Sequence, residues 1–169
     1  MTKKRTFIKL GIVNIIMITS LVFLFAPSIA ESRLPPLTGW KIEDNLGSGY
    51  GELTVTNGNY QDVVAVLVDR MGKIYNAVYI KSGDTYTIKD IAENTYYLYF
   101  AQGKDWDRST NSFSEAMGFF KISEPIKFEV VESSDEIKYT TWEFALPANA
   151  NEVNGIESIN QFEFPILNK

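Results

Sequence analysis

Asp105, Trp106, Asp107 and Arg108 follow one another in the sequence, and together they are suited to holding a ligand. In an extended segment, positions two apart point the same way, so both carboxylates can meet one molecule. Trp106 between them offers a flat apolar platform, and Arg108 adds donors. An aromatic platform beside acidic acceptors suits a glycan, so the run predicts carbohydrate or cell-envelope binding. Two carboxylates are also the minimum for hydrolysis by general acid and base. The plainer alternative makes Trp106 a cap on a sheet end and both aspartates solvated turn formers. Asp105-x-Asp107-x-Ser109 opens like a calcium loop. It then departs, with Thr110 at the sixth place, where Gly is needed, and Ala116 at the twelfth, where Glu is needed. No metal site, catalytic residue or cofactor is assigned.

The residues that are missing narrow the chemistry further. The 169-residue chain contains no histidine and no cysteine. Nucleophilic catalysis by Ser-His-Asp or Cys-His is thereby excluded, as are disulfides, cysteine-held metal and a lipid-modified cysteine. Ser and Lys do fall together at Lys81-Ser82 and near Lys121 and Ser123, but in turns, where a lysine is not desolvated enough to act as base. The expectation is a non-catalytic binding domain.

The run sits at the tip of an aromatic strand that must position it. Residues 95–101, Thr-Tyr-Tyr-Leu-Tyr-Phe-Ala, place Tyr96, Leu98 and Phe100 on one face and Tyr97, Tyr99 and Ala101 on the other. Both faces are apolar-bodied, which predicts a central strand covered on both sides. Gly103 ends it, and residues 108–114 read as a polar loop.

Strand signals extend to either side. Leu53 and Val55 alternate in residues 51–56, and Asn57-Gly58-Asn59 follows as a turn. Residues 63–68 are a continuous apolar run, the pattern of a buried core strand. Residues 74–81 and 85–88 add two more strands. Residues 114–117 read as a brief helical turn, and residues 118–122 and 125–131 as a hairpin around Ser123-Glu124. Residues 137–146 make a further strand, 148–160 a loop, and 162–164 a short edge strand. Turn signals recur about every 8–12 residues, the cadence of a sandwich or barrel. The fold class expected is all-β, a single antiparallel β-sandwich of about seven to nine strands over residues 47–164, preceded by an N-terminal signal helix.

Residues 1–30 carry a basic start and an apolar stretch from Leu10 to Phe25, and end in the small residues Ala26, Ser28 and Ala30. Small residues one and three places before Glu31 form the pattern cut by a signal peptidase, so cleavage is expected after Ala30. The protein is then expected in the periplasm, at the cell envelope or outside the cell. The alternative is an uncleaved anchor, although a bilayer crossing needs ~20 apolar residues and Pro27 interrupts this run.

Residues 31–46 read as a lead-in linker, with Trp40 packed on the domain, and residues 165–169 as a tail. Residues 1–30 hold four of the 16 basic residues and no acidic one, so cleavage leaves 12 against 21 acidic residues, a net charge of −9. An acidic domain has no electrostatic footprint for nucleic acid, and membrane contact is expected only through an uncleaved signal segment. The partners expected are a glycan or an envelope protein, the second engaged through an edge strand.

Ile88-Lys-Asp-Ile91 followed by Asn94-Thr-Tyr-Tyr-Leu-Tyr-Phe100 resembles the I-x-x-I-x-x-G-x-Y-x-L-x-F signature of the carboxypeptidase regulatory-like, or transthyretin-like, β-sandwich. Asn94 stands where that family usually has Gly, and Asn also tolerates the left-handed conformation. The wider pattern over residues 47–131 is similar to a group of exported bacterial domains of unknown function. The resemblance implies a fold and a packing role for Tyr96, Leu98 and Phe100, and no catalytic residues.

Overall fold

β-Branched and aromatic residues fill the runs between turns, and these runs set into strands. The computed structural model describes residues 34–148 and 155–167. Among them are β1 (Trp40–Asp44), β2 (Gly51–Asn57), β3 (Asp62–Asp69), β4 (Ile74–Ile80), β5 (Thr85–Ile91) and β6 (Asn94–Asp107). The second half supplies β7 (Ser112–Ile122), β8 (Ile126–Phe128), β9 (Val130–Glu132), β10 (Ile137–Tyr139), β11 (Thr141–Leu146) and β12 (Ile156–Ile159). The expected signal segment, residues 1–30, lies outside the described residues. No helix among the described residues is long and apolar enough to cross a membrane.

The strands form an all-β structure of two main sheets. The larger runs β1-β4-β3-β6-β7-β12, with β8 also paired to β6, and the smaller runs β11-β2-β5. A β9–β10 ribbon stands apart. Strand β6 lies between β3 and β7, the central place its two apolar faces predict. Tyr96, Leu98 and Phe100 are fully buried in the cluster between the sheets, where Leu53 and Val55 of β2 meet them. Burying each such side chain is worth roughly 1.5–3 kcal/mol, so this layer can hold a chain with no disulfide.

Strand β3 shows why its sequence does not alternate. Val63, Ala65 and Leu67 join the cluster between the sheets, while Val64, Val66 and Val68 join a second cluster on the opposite face of the large sheet. A strand covered on both faces has no polar side to display.

Several expectations are corrected. The strands number twelve among the described residues, more than the about seven to nine expected, because the lead-in and the later loops contribute short ones. Residues 40–44, read as linker, form β1 and pair with β4. One pair is parallel, β11 beside β2, so the sandwich is not wholly antiparallel. Residues 114–117 are part of β7 rather than a helical turn, and the polar loop after Asp107 shrinks to residues 108–111. The hairpin around Ser123-Glu124 does not form. Strand β8 pairs with β6 instead, because β12 occupies the free side of β7. That strand, Ile156–Ile159, falls within the stretch read as a loop. Residues 162–164 make no strand; Gln161–Glu163 is a 3-10 turn capped by Asn160, which accepts from Phe162 N at 2.8 Å. Glu163 closes the capping box by accepting from Asn160 N at 3.2 Å.

Candidate functional site

The far ends of β6 and β7 continue as a ribbon, and this ribbon carries the residues singled out by the sequence. Gly103 lets its two strands close, since a Cβ there would lie 2.5 Å from the Glu115 carbonyl oxygen and 2.7 Å from Phe113 Cβ. Two residues on, Asp105 has φ 53°, a left-handed conformation. Strict alternation from Phe100 would send Trp106 toward the inner cluster. Instead Trp106 joins the outer one, beside Ala101, with the break in alternation at Asp105.

Trp106 is only 3% exposed, which corrects the expectation of an open platform. Its ring meets Phe113 edge-on at 4.9 Å, Tyr79 at 6.0 Å and Trp40 at 6.4 Å. Asp107 shapes its own turn: its Oδ1 accepts from Ser109 N at 2.7 Å and from Ser109 Oγ at 2.6 Å. Arg108 lies over the Trp40 ring at 4.9 Å. Asp105 is exposed. The four residues therefore do not converge on one ligand surface, because three of them are engaged in building the tip. Among the described residues, no group of three acidic side chains is placed to hold a metal ion.

A cleft opens beside this tip. About 240 Å³ in volume, it lies between the ribbon and the C-terminal segment that follows β12. Trp106, Phe113 and Phe119 wall one side, and Phe164 and Leu167 the other. Phe164 is held by Phe119 at 5.2 Å and by Tyr99 at 6.4 Å. Thr110 and Ser112 share a hydroxyl–hydroxyl hydrogen bond of 2.8 Å at the edge of this cleft. Trp106 Nε1 is buried and has no hydrogen-bond partner among the described residues. A buried donor left unpaired costs about 1–3 kcal/mol. Sequence reading found Trp106 and missed Phe119, Gln161 and Phe164. The Asn160-x-x-Glu163 capping signature could have located the turn that brings the last two in.

Beneath the tip, Tyr79 is fully buried and donates its hydroxyl to Asp62. Burial first, and then that carboxylate, push its ionisation well above the usual tyrosine range. Asp62 also accepts from Ser82 N at 2.9 Å.

No family model, curated protein or solved structure matches this chain. The likeness to the transthyretin-like family rests on Ile88, Ile91, Tyr96, Leu98 and Phe100, all of which are buried.

Proposed function

We propose that this chain is an exported, non-catalytic accessory domain that binds a glycan or another component of the cell envelope. The observation that carries this reading is the cleft at the β6–β7 tip, with aromatic walls and the Thr110 and Ser112 hydroxyls among its lining. Concave, mostly apolar sites with a few placed polar groups are the usual form of small-ligand sites. The basic and apolar start of the sequence supports export. The absence of His and Cys from the sequence supports a role without nucleophilic catalysis.

The test is retention on isolated envelope polysaccharide. Ala116 is exposed at the cleft, so Ala116→Trp fills the opening without disturbing the core. Retention by the parent protein and its loss in Ala116→Trp is the expected result. Equal retention by both proteins would overturn the site.

A second reading has its own observation. Among the described residues, strand β11 pairs with β2 alone. An apolar groove of about 220 Å³ lies beside it, between Phe144 and Leu146 on one side and Ile122 and Ile156 on the other. A free edge next to such a groove suits a protein partner added as a strand. Concentration-dependent association abolished by proline at Glu143 or Ala145 would favour this assembly role.

A further inference from the structure

We infer that the open edge of β11 pairs with the β11 of a second copy of this chain, antiparallel and centred on Phe144. This rests on the second, assembly reading above and names the partner within it.

The direction of the backbone groups comes first. Strand β11 lies parallel to β2, with Thr141 beside Glu52 and Leu146 beside Asn57. The Thr140 carbonyl accepts from Glu52 N at 3.4 Å, and the Leu146 carbonyl accepts from Gly58 N at 2.8 Å. Alternate residues of a strand bond to the same neighbour, so the even-numbered residues turn their backbone groups to β2. Thr141, Glu143 and Ala145 turn theirs to the open edge, where no strand among the described residues meets them.

Other sheet edges are blunted, and this one is not. Strand β1 is interrupted between Lys41 and Glu43, β5 carries Lys89 and a left-handed Asp90, and β12 has only four residues. Charges, irregularities and short lengths of this kind keep edges from pairing. Strand β11 holds register with β2 over all six of its residues, and Glu143 is its one charge. Trp142 and Phe144 lie beside Leu53 and Val55 and so share their inner face. The two rings stack at 6.1 Å, yet Trp142 stays 36% exposed. The apolar groove opens beside Phe144 and Leu146.

Self-complementarity selects the occupant. Directly opposed residues of an antiparallel pair share a face, so a two-fold axis that keeps most of the strand paired falls on Glu143 or on Phe144. An axis on Glu143 sets two like carboxylates against each other, which is destabilising. An axis on Phe144 sets Glu143 opposite Ala145 of the second copy, Trp142 opposite its Leu146, and the two Phe144 rings together. Glu143 and Ala145 then exchange hydrogen bonds through their edge-facing groups, and Phe144 takes the closely spaced, non-bonded place. Each copy lays Trp142 and Phe144 beside the other's groove, so one contact covers both.

The experiment uses the full chain, whose lack of cysteine makes single introduced cysteines clean reporters. Sedimentation across a range of concentrations should show a dimer that dissociates on dilution. Ala145→Pro should abolish it, a weakening of roughly 10–100-fold for two lost hydrogen bonds. Circular dichroism should not change, because that N–H faces the open edge, where proline is tolerated. Phe144→Cys should cross-link between copies on mild oxidation, since a non-bonded pair brings Cα atoms to about 4.5 Å. Glu143→Cys alone should not. A mixture of Glu143→Cys and Ala145→Cys, both exposed positions, should also cross-link and stands in for a Phe144 variant that fails to fold. A chain that stays monomeric would overturn the second-copy assignment while leaving the edge open to another protein. Cross-linking through Glu143→Cys alone would overturn the Phe144 register. Association that survives Ala145→Pro without any of these cross-links would overturn the assignment and the edge reading together.

Discussion

The two faces of the large sheet are built from the same strands and finished differently. On the inner face, Leu98 and Phe100 of β6 meet Leu53 and Val55 of β2, strand against strand, and every one of these side chains is fully buried. On the outer face no second sheet lies among the described residues. Its cover there includes the Trp106–Phe113 tip and Phe164 of the C-terminal segment. Sheet-on-sheet packing gives close complementarity, whereas a turn and an irregular segment leave gaps. The cleft and the unpaired indole donor both occur on the less regular face. Stability thus concentrates on one face and the candidate site on the other.

The largest expected effect tests that division directly. Phe100→Ala should cost about 3–5 kcal/mol, as buried aromatic truncations do. Phe164→Ala, at a half-buried position, should cost about 1–2 kcal/mol, a partial share of a full burial. Urea denaturation of both variants measures the contrast. Equal losses would mean that the C-terminal segment is as integral to the fold as the inner layer.

Gly103→Ala should rank next, at about 1–3 kcal/mol, because the added carbon meets Glu115 backbone and Phe113. It should also move the Trp106–Phe113 pair and therefore weaken cleft binding. A destabilised variant with unchanged binding would separate ribbon closure from the site.

Alkaline titration compares the two faces through a tyrosine in each. Tyr79 on the outer face and Tyr96 on the inner are both raised, first by burial. For Tyr79 the Asp62 carboxylate adds to the effect, whereas for Tyr96 the neighbouring Asn94 side chain opposes it. The unfolded chain ionises near pH ~10 while the folded one holds its protons. Their stabilisation is therefore complete below that pH and is lost as pH rises above it, toward the folded-state values. Tyr79→Phe should flatten this loss more than Tyr96→Phe, as read from denaturation midpoints across the alkaline range.

The inner face is legible in the sequence because its signal is periodic. Tyr96, Leu98 and Phe100 repeat at every second residue, and their partners in β2 do the same. The unbroken run in β3 likewise announces a strand covered twice. The outer face is obscured by a break in that period. Asp105 adopts a left-handed conformation that alternation does not encode, so Trp106 points opposite to its nominal parity. Phe164 is equally hidden, because its place depends on a capped turn and on contacts with Phe119 and Tyr99, distant in sequence. The composition of the four tip residues cannot distinguish a surface offered to a ligand from one folded onto itself.

Arg108 gives the smallest and sharpest test of that last distinction. Its guanidinium covers the Trp40 ring, and Trp40 in turn meets Trp106. An exposed cation–π contact is worth about 0.5–1 kcal/mol, so Arg108→Ala should lower stability by that amount. If Arg108 serves only to hold Trp40, Arg108→Lys should recover part of the loss and leave sugar affinity unchanged. A change in affinity without a change in stability would instead place Arg108 on the ligand, and would return the tip to the open binding surface that its composition first implied.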